Sequence, residues 1–280
     1  MRQRRYLVSN APASRAAPFT RGLLAWYPSL PVSAGGMIVR DAGGRYHGTL
    51  TNGPKWDGRV RPGGLGPCPN YVSASSQYTD LSALDTALDG LPAFTMAFWT
   101  LRVSGGTNTV WRGRGNGEAR TGVLWINTNT IYPTVEAAGT SGFGTVLDAR
   151  TGWVHVAMTF DGSLAATSRV TLYLQGEPIT LGATGTWPTT VPTSTGMAIG
   201  RYGASGSYAT FQDGPTDDVA FWSRALTAAE VAQWYRSSLL GHPAMLRRYS
   251  RRAGQVVSGG GTGRVDSADF GVSLAFGFGL

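Results

Sequence analysis

A period of two, repeated along most of the chain, limits what this sequence can fold into. In FTMAFWTLR (94–102), Phe94, Met96 and Phe98 alternate with Thr95, Ala97 and Trp99. In WVHVAMTF (153–160), Val154, Val156, Met158 and Phe160 share one face; in RVTLYLQ (169–175), Val170, Leu172 and Leu174 do so before a turn at Gly176. Successive side chains of a strand point to opposite faces, so each such segment predicts a strand with two distinct faces. LLAWY (23–27), NTVW (108–111), GVLWIN (122–127), IYPTVEA (131–137), MAIGRY (197–202) and DDVAFWS (217–223) add further strands. No helical segment separates them, which predicts an antiparallel sandwich and excludes a βαβ fold.

One helix is signalled. Thr227 stands at an N-cap with Glu230 three residues on, the reciprocal capping box, and Leu226 and Val231 take the staple positions. It is expected to run to Tyr235 or Arg236 and to close the domain.

Charge divides the chain into three parts. The net charge is +8, and only 14% of residues are charged. Residues 1–21 hold five arginines and no acid, and residues 236–280 hold six arginines against Asp266 and Asp269. The stretch between is close to neutral, which argues against a domain built to grip nucleic acid. The expected organisation is a basic N-terminal arm (1–21), a sandwich domain (22–236) and a basic, Gly-rich C-terminal tail (237–280). The tail ends in VDSADFGVSLAFGFGL, where Phe270, Val272, Leu274, Phe276 and Phe278 alternate with small residues. A strand with such a ridge is an aggregation hazard in water, so it is expected to dock on its own domain or on another chain's sheet.

Cys68 is the only cysteine, so neither an intramolecular disulfide nor a cysteine-based zinc site can form. The first twenty residues lack the apolar run of a signal peptide, and no apolar run of membrane-spanning length occurs, so no membrane association is expected.

Several segments together resemble the LamG-like, concanavalin A-like jelly-roll family. GLLAWYPSL with RDAGGRYHGTLTNGPKW (40–56) is similar to its first strand and Asp-x-Gly-Gly loop. LPAFTMAFWTLR, TGWVHVAMTFDG and VTLYLQGEPI are similar to its central strands and hairpin, and DGPTDDVAFWSRALTAAEVAQWY to its closing strand and helix. The resemblance runs over about 22–236. It implies an all-β antiparallel jelly-roll sandwich with one short C-terminal helix and extended terminal arms.

Related folds include glucanases, which need two carboxylates about 5 Å apart. Glu118, Glu136, Glu177 and Glu230 lie in separate segments, and Asp217 and Asp218, being adjacent, are expected on opposite faces. No catalytic set is therefore expected. His47, His155 and His242 have no metal-binding spacing, and His155 reads as a packed or surface histidine. For calcium, Asp41, Asp161, Asp213, Asp217 and Asp218 are the available carboxylates; turn formation and backbone capping account for them, so no cofactor is expected and calcium stays only an open alternative.

Sugar binding needs flat aromatic faces, for which Trp111, Trp125, Tyr132 and Tyr202 are the candidates, with Arg112 beside them. Trp26, Trp99, Trp153 and Trp222 lie in the clearest strands and are expected in the core. Arg2, Arg4, Arg5, Arg247, Arg248, Arg251 and Arg252, with the ridge Phe270, Val272, Leu274, Phe276 and Phe278, are the candidate assembly contacts. The resulting expectation is a non-enzymatic structural and adhesive subunit of a large particle. A bacteriophage virion protein (capsid decoration or tail component) fits, with virion neighbours, homo-oligomerisation within the particle and a glycan as partners. The alternative is a glycan-binding module of a bacterial surface or secreted protein.

Overall fold

The protein's structure is a computed structural model that describes residues 18–28, 37–58, 61–102, 107–113, 118–126, 129–138, 142–204, 207–243 and 245. The strands, in chain order, begin with β1 (Leu23–Tyr27), β2 (Ile38–Val39), β3 (Gly48–Thr51), β4 (Lys55–Asp57), β5 (Cys68–Tyr71) and β6 (Tyr78–Asp80). A one-turn helix, α1 (Asp85–Leu88), leads to β7 (Ala93–Arg102), β8 (Asn108–Arg112), β9 (Arg120–Trp125), β10 (Thr130–Glu136) and β11 (Gly142–Leu147). Then come β12 (Gly152–Asp161), β13 (Val170–Leu174), β14 (Glu177–Ile179), β15 (Gly182–Gly185) and β16 (Ala198–Ile199). The described elements end with β17 (Arg201–Ala204), β18 (Ser207–Phe211), β19 (Gly214–Trp222) and helix α2 (Ala228–Ser238).

They form two antiparallel sheets and one ribbon. The first sheet runs β14-β13-β12-β7-β19-β5-β4, and β1 pairs with β19 beside β5. The second runs β15-β11-β10-β9-β8-β16-β6-β3-β2, and β17 and β18 pair only with each other. The period of two explains the layers. Phe94, Met96 and Phe98 of β7, with Val154, Val156, Met158 and Phe160 of β12, meet Val110, Val123, Ile131, Val135 and Ile199 of the second sheet in one core. At roughly 2 kcal/mol per fully buried large apolar side chain, this layer is the main source of stability.

The opposite face of the first sheet is buried as well. Ala97 lies directly opposite Ala157 on one side and Ala220 on the other, a row of methyl groups across three strands. That low strip lets α2 approach closely, and Ala97, Ala157, Ala220, Trp26 and Trp222 form a second core with Val231 and Trp234 of α2. Trp234 makes edge-on contacts with Trp222 at 4.8 Å and Phe19 at 5.3 Å between ring centroids. The capping box is present as read: Thr227 Oγ1 accepts from the Glu230 N–H and Glu230 accepts from the Thr227 N–H. The helix runs to Ser238, slightly beyond its expected end.

Two sequence readings change. The segment 197–202 is two short strands, broken at Gly200, whose φ is +90°. Asp217 and Asp218 are not on opposite faces. A bulge between Asp217 and Ala220, with Asp218 at φ +54°, turns both carboxylates toward the same guanidinium. Arg61 Nε donates to Asp217 at 2.9 Å, and Arg61 Nη2 lies 3.1 Å from Asp218 Oδ2. Asp218 also accepts from Trp26 Nε1 at 2.6 Å and meets His242 Nε2 at 2.7 Å. Burial by itself would raise the Asp218 carboxyl, but His242 and Arg61 hold it below its ordinary range. Arg61 Nη1 also donates to the Ser238 carbonyl at 2.7 Å. The close approach requires Gly63 (φ +70°), where a Cβ would stand 2.2 Å from the Leu239 carbonyl oxygen.

The packed unit thus reaches past 22–236 on both sides, taking in Phe19 and, beyond α2, His242 and Met245, all buried. His242 belongs to this core. His155, on the same side of the first sheet, is fully buried against Trp99 and Tyr235, with neither ring nitrogen hydrogen-bonded.

Two outcomes follow for stability. Arg61→Met leaves two carboxylates buried without their guanidinium and is expected to cost about 3–5 kcal/mol in urea unfolding at pH 7. Burial lowers His155 from 6.5 to about 3. The unfolded chain therefore binds the extra proton between those values, and stability falls as pH drops from 6.5 toward 3. His155→Phe removes this component, on the order of 3 kcal/mol at pH 4, so wild type minus variant stability should decline from pH 7 to pH 4. A pH-independent difference would refute the buried neutral imidazole.

Candidate functional site

The first sheet is packed on both faces, whereas the outer face of the second sheet sets half-buried rings around the buried positions Thr109, Trp111, Leu124 and Glu136. Register fixes what it carries. Val110, Val123 and Ile131 point into the core, so their neighbours Thr109, Trp111, Leu124 and Tyr132 point outward. Arg120 and Glu136 pair directly across β9 and β10 and form an ion pair. Tyr132 packs on Phe143 of β11 with centroids 6.2 Å apart. Both rings are half-buried, leaving part of each open to solvent.

The β17–β18 ribbon lies on this face. Tyr202 meets Trp111 edge-on at 4.9 Å, and Arg201 stacks over Tyr78 at 4.1 Å. Phe211 lies 6.4 Å from the same Tyr78 ring. Arg120 sits over the Trp111 ring at 6.0 Å. Beneath Trp111, Gly122 has no side chain, and a Cβ there would come within 3.1 Å of the indole. The result is a cluster of aromatic rings with guanidinium groups between them.

The sequence-derived sugar contacts divide accordingly. Tyr132 and Tyr202 are on this face and half-buried. Trp111 is on it too, but at 2% exposure its ring offers no free face. Trp125 turns into the inter-sheet core under Arg102, 4.7 Å from the ring, and is corrected to a core residue. Arg112 is also corrected: it is fully buried, donating to the Asp85 carboxylate and to carbonyls of Asp85 and Ser194 and paired with Asp89. A guanidinium with those bonds holds the loop at 192–196 to α1 and has none to spare for a sugar hydroxyl. Trp26, Trp99 and Trp222 are core residues as read, whereas Trp153 is half-buried.

The period of two missed Arg120, Glu136, Tyr78, Arg201 and Phe143. The first two were within reach: a hairpin joining 122–127 to 131–137 through its polar turn sets 120 opposite 136. The other three depended on the packing of the ribbon (Tyr78, Arg201) and of neighbouring strands (Phe143). Arg2, Arg4, Arg5, Arg247, Arg248, Arg251, Arg252, Phe270, Val272, Leu274, Phe276 and Phe278 lie outside the described residues.

The five carboxylates weighed for calcium are bonded within the protein. Asp41 accepts the backbone N–H groups of Trp26, Gly43, Arg45 and Tyr46, organising the Asp-x-Gly-Gly loop. Asp161 accepts from Ser163, and Asp213 from the Ser73 N–H. Asp217 and Asp218 hold Arg61, Trp26 and His242. Among the described residues no group of three or more His, Cys, Asp or Glu could hold a metal ion. No helix among them is long and apolar enough to cross a membrane.

Comparison with known proteins agrees with this architecture. No curated protein matches the sequence. A solved structure of a Trypanosoma rangeli sialidase mutant displaying trans-sialidase activity superposes with a TM-score of 0.53 at 19% identity, over 81% of this chain and 35% of that one. The binding domain of botulinum neurotoxin DC in complex with SialylT gives 0.52 at 11% identity, over 79% of this chain and 52% of that one. The same domain in complex with rat synaptotagmin II gives 0.53 at 12%, over 78% and 52%. At these identities the likeness is one of fold, and the chain spans about a third to a half of those proteins. The model of the concanavalin A-like lectin/glucanases superfamily matches residues 73–232, more than half of the chain, and the protein belongs to that family.

Proposed function

We propose that the protein is a non-catalytic adhesive module of a larger assembly, binding a glycan on the outer face of its second sheet and docking through its terminal arms. The observation that carries this reading is the asymmetry of the two sheets: α2 packs on one, and the other gathers the half-buried Tyr132, Phe143, Tyr202 and Tyr78 on its outer side. Aromatic faces with flanking polar groups suit the apolar side of a pyranose. A hydrolytic role is disfavoured because Asp217 and Asp218 are each bound to Arg61, and a carboxylate so neutralised is a poor nucleophile or base.

The assembly we propose is a bacteriophage particle, with the protein as a capsid decoration or tail component and other virion proteins or copies of itself as neighbours. The support is in the charge distribution: arginine-rich ends flank a nearly neutral sandwich, and an alternating apolar segment closes the chain. A free glycan-binding module of a surface or secreted protein is the second reading. It is favoured by the neurotoxin binding domain, which shares the fold and was solved in complex with SialylT.

Removing residues 1–17 and 246–280 leaves Phe19 and Met245 in place and should preserve the sandwich, seen as an unchanged cooperative melt. The same truncation is expected to abolish incorporation into particles. Normal incorporation of the truncated chain would exclude docking through the arms and leave the free module.

A further inference from the structure

The outer face of β8 carries two buried polar groups without partners. Thr109 is 1% exposed and Trp111 2% exposed, and neither Thr109 Oγ1 nor Trp111 Nε1 makes a hydrogen bond. Unpaired buried polar groups cost free energy, so each needs a reason. Trp125, Trp187 and Trp234 also leave their indole N–H unpaired, but they lie inside the two cores. Trp111 and Thr109 stand two residues apart on a sheet surface and are covered from outside.

Tyr202 of the ribbon and Arg120 are part of that cover. The ribbon makes no backbone ladder with the sheet beneath it. It begins after Gly200 (φ +90°) and ends before Gly214 (φ +103°). Its base is tied by the Gln212 N–H to the Gly200 carbonyl at 2.8 Å. Above that base, ring contacts join it to the sheet, Tyr202 on Trp111 and Arg201 and Phe211 on Tyr78, and Arg201 Nη2 also donates to the Gly196 carbonyl at 3.5 Å. Ring contacts of this kind are worth about 0.5–1.5 kcal/mol each, small enough for a ligand to replace.

We infer that Trp111 is a platform for a neutral pyranose, occupied in the free protein by Tyr202, and that a sugar takes that place and pairs with Trp111 Nε1 and Thr109 Oγ1. The inference rests on the adhesive reading of this sheet. It is the chemistry that selects the ligand: a pyranose has an apolar face for the indole and hydroxyls that serve as both donor and acceptor. Indole N–H only donates, whereas the threonine hydroxyl does both. A neutral sugar is specified because the Arg120 guanidinium at the platform is already matched by Glu136.

The test uses the full chain on an array of neutral oligosaccharides and their sialylated counterparts, followed by calorimetric titration of the best binder. Thr109→Val is nearly isosteric and removes an unpaired hydroxyl, so it should leave the Tm unchanged or raised while weakening binding about three- to tenfold, the loss of one hydrogen bond. Tyr202→Ala removes the internal competitor and should tighten binding. Leu164→Ala, at an exposed position in the turn after β12 of the first sheet, should leave it unchanged. Binding of no glycan overturns both the platform and the adhesive reading. Glycan binding that is unaffected by Thr109→Val and Tyr202→Ala overturns the platform alone; its loss in Tyr132→Ala would place the sugar on the open rings. Binding confined to sialylated glycans overturns the choice of a neutral ligand.

Discussion

The structure turns on one buried guanidinium. Arg61 sits where β19, the C-terminal end of α2 and the following turn converge, bonded to Asp217, in ion contact with Asp218 and donating to the Ser238 carbonyl. Asp218 extends the contact to the Trp26 indole of β1 and to His242. Three parts of the chain that are remote in sequence are thereby fixed to one strand. A buried ion cluster seldom adds much net stability, since desolvation offsets the attraction, but breaking it is costly. Its consequence here is positional: α2 is held at one place over the alanine row of the first sheet.

That placement decides what the second sheet can do. A sandwich has two outer faces; α2 packs on one, and on the other the middle positions are buried while the rings around them stay half-buried. The covered side has consumed Trp26, Trp222 and Trp234, together with Phe19 and Met245. Trp56, Trp153 and Tyr235 also stay half-buried elsewhere, so it is the clustering of rings that is informative. Tyr132, Phe143, Tyr202, Tyr78 and Phe211 gather on one surface with Arg120 and Arg201 among them. The adhesive function proposed above rests on that surface, whereas Asp41, Asp161, Asp213, Asp217 and Asp218 are bonded within the protein.

Much of the fold was legible because strand periodicity and helix capping are local. Phe94, Met96 and Phe98 required nothing beyond alternation to be assigned to one face, and Thr227 with Glu230 marked the start of α2. The site was legible only in part. Tyr132 and Tyr202 were found as aromatic residues in strands, but the same rule chose Trp125 and Arg112, which point inward. Composition cannot separate them: an indole in a strand is equally suited to a core or to a sugar, and only the parity of its position against its neighbours decides. Asp217 and Asp218 were misread for a related reason, because a bulge cancels the alternation that adjacent residues otherwise obey.

The sequence by itself determined an all-β sandwich with a capped helix near its end and its charge concentrated in its arms. These are properties of short windows, set by dihedral preferences and side-chain period. Only the tertiary structure decided that His242 belongs to the core, that Arg112 is a structural ion and that Trp111 lies beneath Tyr202. Each depends on contacts between residues far apart in the chain: His242 with Asp218, Arg112 with Asp85, and Trp111 with a ribbon some ninety residues later. Burial is a property of what comes to lie on top of a residue, and no local pattern records it.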